Sequence, residues 1–135
     1  MNKTLEMYAP VVGRILIGIL FLLASFGKFP WGDGFAGSVA YAQSVGIPVV
    51  NLAIILAFII EFFGGLMLIF GFKTKIAAWA LALFTIIVTL YFHMDFGDQT
   101  QTTMFLKNVA VLGGLLILAS YGGGKCSLDN RKKIA

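Results

Sequence analysis

Four apolar runs dominate this chain: residues 10–29, 49–70, 76–92 and 104–121. Each is close to the roughly 20 residues, in a range of about 17–25, that carry an α-helix across a hydrocarbon core. Helices are the backbone solution that fits them. Lipid offers no partner for unpaired N–H and C=O groups, and the runs are too long and too evenly apolar for barrel strands. Composition agrees: 59% of the 135 residues are hydrophobic and 12% charged, where a soluble domain carries about 25% charged residues. The expected fold is an all-α membrane protein, a four-transmembrane-helix bundle forming a single domain over residues 1–135.

Several function classes fall away at this level. The formal charge of +4 does not point to nucleic acid, because the basic residues are scattered or terminal. A basic tail beside an anionic leaflet is the simpler reading. Cys126 is the only cysteine and His93 the only histidine. The chain alone therefore builds no disulfide, and no metal or haem site is expected. Arg14 interrupts the first run and no small-x-small cleavage site follows it, so this segment is expected to be a retained span rather than a signal peptide.

The connections predict a direction. Lys73 and Lys75 form a short basic turn, and the tail carries Lys125, Arg131, Lys132 and Lys133. The other two connections hold Asp33, Asp95 and Asp98. The positive-inside rule then puts both termini in the cytoplasm and makes the protein a multi-pass resident of the bacterial cytoplasmic (inner) membrane. The first outer connection, residues 30–48, exceeds the usual 2–8 residues between bundle helices. Residues 37–45 are expected to form a short interfacial helix within it, ended by Gly46-Ile47-Pro48.

Each span carries a small or polar stripe. The first has Arg14, Gly18, Ser25 and Lys28; the second Ala53, Ala57, Glu61 and Gly65; the third Ala77, Leu81, Thr85, Thr89 and His93; the fourth Lys107, Ala110, Gly113 and Gly114. Such faces let membrane helices approach closely, and four of them converging give a bundle with a polar centre. Packing alone accounts for the small residues. The charged ones need more, since a carboxylate at mid-bilayer costs about 2.5–3.5 kcal/mol on insertion scales. Helical rise places Glu61 near the midplane and Arg14 within reach of it, so an Arg14–Glu61 ion pair is expected. Lys28, His93 and Lys107 fall toward the outer side and, with Asn108, could line one outward-facing pocket. Lys28 could instead snorkel to the interface, and His93 could sit at the headgroups.

This pattern resembles the DoxX family of small bacterial membrane proteins. The resemblance rests on Gly13-Arg14-Ile15-Leu16 and Phe26-Gly27-Lys28-Phe29, on Gly46-Ile47-Pro48, on Glu61-Phe62-Phe63-Gly64-Gly65, and on Gly71-Phe72-Lys73-Thr74-Lys75. It continues through Phe92-His93, Phe105-Leu106-Lys107-Asn108, Gly113-Gly114 and a tail Gly123-Gly124-Lys125-Cys126-Ser127-Leu128-Asp129, where glycine replaces a common proline. The resemblance implies a four-helix inner-membrane protein. DoxD- and DoxA-like members look like subunits of a thiosulfate:quinone oxidoreductase, and others are associated with thiol-handling complexes.

Two functions follow as expectations. One is a quinone-linked redox protein, or a subunit of a membrane oxidoreductase handling thiosulfate or thiols. It would use bound quinone and a partner subunit, with Glu61, His93 and Lys107 as catalytic groups and Arg14, Lys28 and Asn108 as ligand-binding groups. The other is a non-catalytic scaffold, or a small-solute or ion pathway module, for which a homo-oligomer would offset the small size of the chain.

Overall fold

The computed structural model describes residues 2–134; the side chains of Lys132 and Lys133, counted above with the basic tail, lie outside the described residues. Among the described residues the chain forms six helices and no strand. They are α1 (Lys3–Phe26), α2 (Gly34–Ser44), α3 (Val50–Phe70), α4 (Thr74–Phe92), α5 (Gln99–Tyr121) and α6 (Leu128–Ile134). The long helices α1, α3, α4 and α5 are each long and apolar enough to cross a membrane. Two of them outrun their apolar runs, because caps rather than hydropathy end a helix. Asn2 accepts a hydrogen bond from the Thr4 N–H and starts α1 seven residues before the apolar run. The Asp98 carboxylate accepts from Thr100 and Gln101 and starts α5 at Gln99. At its other end α1 stops at Phe26, where Gly27 caps it and Pro30 follows.

Helix α2 realises the expected interfacial segment. It lies across the end of the bundle where α1 ends and α3 begins, held by Ser38 Oγ donating to Gly27 O at 2.9 Å and by the Tyr41 ring against Phe92 of α4. The opposite end is closed by the turn between α3 and α4. Gly71 takes φ +68°, Gly71 N–H donates to Leu68 O and Phe72 N–H to Met67 O, which is a Schellman ending. The tail folds over this turn. The Asp129 carboxylate accepts the N–H groups of Lys73 and Thr74 at 2.6 and 2.9 Å and so caps α4.

Helix α1 packs most closely on α3, α4 packs on α5, and α3 joins the two pairs. Helices α1 and α5 touch much less. The α1–α3 crossing rests on glycine. A β-carbon on Gly18 would come 2.8 Å from Gly65 O, and one on Gly65 would come 2.8 Å from Gly18 O. The inward faces of α1, α3 and α4 are the stripes expected from the sequence. That of α5 is not: Asn108, Leu115, Leu118 and Ala119 are buried, whereas Lys107, Ala110 and Gly113 are exposed. A stripe chosen for small residues misjudges this helix because its buried side is mainly Asn108, which bonds Thr89 of α4, and the leucines of the core, while of its two glycines Gly114 is the one that approaches α1.

Candidate functional site

The half of the bundle near α2 is polar inside, and the axis of the other half is apolar down to Arg14 at its end. Phe21, Leu68, Leu81, Leu115 and Leu118 fill the axis of the apolar half, with Leu68, Leu81 and Leu115 fully buried. On the α2 side of this plug lies a cavity of about 180 Å³. Lys28, Glu61, Thr85, His93, Lys107 and Asn108 supply its polar wall, and Leu20, Phe21, Ala24, Phe84, Val88, Met104 and Val111 its apolar wall.

Glu61, 5% exposed, comes from the middle of α3. Its partner is Lys28, whose Nζ lies 2.8 Å from Oε2. The expected Arg14–Glu61 pair does not form, and the reason is directional. Side chains on a helix lean toward its N-terminus. Arg14 therefore leans away from Glu61 and toward the end of α3. There Nη1 donates to Leu68 O and Ile69 O at 2.8 and 2.9 Å, and Nη2 donates to Cys126 O at 2.8 Å. It supplements the Gly71 N–H on Leu68 O and supplies a donor to Ile69 O at the C-terminal, electronegative end of α3. Lys28 leans the same way, but from the far end of α1 this carries its ammonium down into the bundle, past Ala24 O at 3.3 Å. It does not snorkel.

At 2.8 Å the Lys28 ammonium and the Glu61 carboxylate are in charge-assisted contact, and a carboxylate has lone pairs left for a further donor in the cavity. Opposite it, Asn108 Nδ2 donates to Thr89 Oγ1 at 3.0 Å, and Thr89 Oγ1 donates to Thr85 O at 2.6 Å. Thr85 Oγ1 likewise donates to Leu81 O at 2.7 Å, so the two threonine hydroxyls at the cavity return their protons to the preceding turn. Here the face of α4 is polar without being unsatisfied.

His93 ends α4 and is half-buried. Its Nδ1 lies 2.7 Å from Gln101 Oε1, and Gln101 Nε2 donates to Tyr41 Oη at 3.2 Å. A polar chain thus runs from the surface helix α2 through Gln101 to the cavity wall. Sequence reading did not single out Tyr41 or Gln101 for the site. Two signals pointed to them: the unusual length of the 30–48 connection, and the glutamine one turn and a half before Lys107 in the same helix.

Lys107 lines the cavity yet remains exposed, as do Leu20 and Ala24 across from it on α1. These residues border the sparse α1–α5 seam. The cavity therefore opens sideways, toward what would be lipid, with an ammonium at its mouth. The structure brings together Lys28, Glu61, His93, Lys107 and Asn108 and leaves Arg14 with the tail at the other end.

The DoxX family model matches residues 9–94. The chain is 39% identical over 127 residues to the inner membrane protein YqjF of Escherichia coli K12, covering 94% of each chain. It is 32% identical over 126 residues to the inner membrane protein YphA of the same strain, covering 90% of this chain and 88% of that one. A protein named putative oxidoreductase CatD, from Bacillus subtilis 168, is 32% identical over 103 residues, covering 75% of this chain and 72% of its own. No solved structure matches.

Proposed function

This chain belongs to the DoxX family, and from that premise and the geometry of the cavity we propose a quinone-linked redox protein of the inner membrane, a subunit or partner of an oxidoreductase that handles thiosulfate or thiols. The observation that carries the proposal is the lateral cavity. An engineered cavity of about 150 Å³ takes up benzene, so about 180 Å³ matches one six-membered ring. The seam between α1 and α5 would leave a lipid tail outside in the bilayer. A name with oxidoreductase in it among the relatives points the same way.

A bound quinone would supply two-electron, two-proton chemistry at its carbonyl oxygens. The chain's residues would bind and orient it. Lys107, at the mouth, and Lys28, on the inner wall, carry donors suited to carbonyl oxygen. Asn108 is held in place by Thr89. Glu61 Oε2 has the acceptor capacity to take a proton from a hydroxyl, and Lys28 beside it holds the carboxylate in position. His93, tied through Gln101 to Tyr41, offers a route for protons between the cavity and the α2 side. The leucine plug beyond Glu61 closes the other half of the axis, which speaks against an ion or solute pathway through the bundle.

The test is direct. Purified protein is extracted with organic solvent and its lipids are examined for quinone, and thermal unfolding is followed with and without a short-chain quinone. The wild type is expected to carry quinone or to be stabilised by it. Lys107→Met is expected to lose both while keeping its helical circular dichroism. A wild type that neither carries quinone nor responds to it would leave the scaffold reading.

A further inference from the structure

The opposite end of the bundle holds a second and larger concavity, of about 710 Å³, that the redox reading does not use. It lies between the start of α4, the end of α5 and the tail. Lys73, Lys75 and Lys125 line it, Lys73 with its ammonium over the Phe72 ring. The one carboxylate in its wall, Asp129, faces the N–H groups of Lys73 and Thr74 and caps α4. Neither Lys75 nor Lys125 is in ion-pair contact with a described carboxylate. Thr74 Oγ1, in the same wall, is fully buried and without a hydrogen-bond partner. The concavity thus has positive charge in excess and an unused hydroxyl, which suits a phosphate ester.

Its level in the membrane says which phosphate ester. Helix α4 begins at Thr74 and α5 ends at Tyr121, so the concavity sits where span ends meet headgroups, whichever leaflet that is. Its outer rim is amphipathic: Tyr121 is 84% exposed and Ile76 65% exposed. Tyrosine at a span end is an interfacial anchor. One turn along α4 from Lys75, Trp79 continues the exposed apolar surface toward the bilayer centre. A soluble anion needs the lysines but not this apolar rim, whereas a phospholipid uses both. We propose that the concavity formed by Lys73, Lys75, Lys125 and the Tyr121 rim is a binding site for the headgroup of an anionic phospholipid, with its acyl chains lying against Ile76 and Trp79.

Trp79 reports on the site. In a Trp31→Phe background it is the remaining tryptophan. The protein is placed in phosphatidylcholine vesicles with a fixed fraction of dibrominated lipid, either phosphatidylglycerol or phosphatidylcholine. Brominated phosphatidylglycerol is expected to quench Trp79 several-fold more strongly than brominated phosphatidylcholine. Lys75→Gln with Lys125→Gln should equalise the two, and Lys75→Arg with Lys125→Arg should keep the preference. All three positions are exposed residues whose exchange leaves the bundle intact, which circular dichroism verifies. Equal quenching by both lipids in the parent protein overturns the proposal. Relief of quenching by inorganic phosphate, but not by chloride at the same ionic strength, overturns it too and assigns the site to a soluble anion.

Discussion

Glu61 and Arg14 are both almost fully buried, yet they answer to different partners. Glu61 belongs to Lys28, and Arg14 to three carbonyls. Removing either member of the buried ion pair strands the other in a medium of low polarity, which costs about 3–5 kcal/mol. Lys28→Met and Glu61→Gln are therefore each expected to destabilise the protein in mixed micelles, and the double substitution to cost clearly less than their sum. Arg14→Met combined with Glu61→Gln should be additive, since the level of Leu68 lies roughly 10 Å from that of Glu61 along α3. Coupling between Arg14 and Glu61 in such a cycle would contradict the arrangement described. Sequence placed both residues inside the bundle by hydropathy, but depth counting chose the wrong cation, Arg14, as the partner of Glu61. Depth is measured at Cα, and a long side chain leaning toward its helix N-terminus acts more than a turn away.

Among the four spanning helices, glycine brings backbone onto backbone between α1 and α3. Gly18 and Gly65 bring the backbones of α1 and α3 together, whereas a β-carbon on Gly113 meets nothing within 4 Å. Gly65→Ala is expected to push α1 off α3 and lower the unfolding temperature, and Gly113→Ala to leave it unchanged or raised, because alanine is the better helix former by about 1 kcal/mol. Thermal melts of the two variants check this contrast. A Gly113→Ala loss as large as that of Gly65→Ala would mean that the outer face of α5 is covered by something else. The faces of α1, α3 and α4 were readable because their small and polar residues recur at helical spacing on the buried side. That of α5 was not, since its inward leucines look like its outward ones and its glycines at 113 and 114 face different surroundings.

For the whole molecule, the even number of spanning helices brings the start of α1, the α3–α4 turn and the tail to one end, and α2 with the 93–98 connection to the other. Charge carries the orientation we propose, with the first end cytoplasmic: Lys73, Lys75 and Lys125 are at that end, and Asp33, Asp95 and Asp98 at the second. We expect an impermeant maleimide added to intact cells to label Gly37→Cys made in a Cys126→Ser background, and not to label native Cys126. Gly37 suits the probe because a β-carbon there meets no other atom within 4 Å. Labelling of Cys126 from outside would invert the molecule and turn the lateral cavity toward the cytoplasmic leaflet. The bundle as such was legible from its four apolar runs. The sideways opening was not, because it depends on how little α1 and α5 touch, and no residue pattern encodes the weakness of a contact.

The tail has a consequence for how this protein is made. Cys126 supplies the third carbonyl for Arg14, and Asp129 caps a helix that begins more than fifty residues earlier. Until Cys126 and Asp129 have been made, the spans can insert but these bonds cannot close. A chain cut short before Cys126 would leave a buried guanidinium short of an acceptor and α4 uncapped, so this end of the bundle is completed by residues that follow the last span.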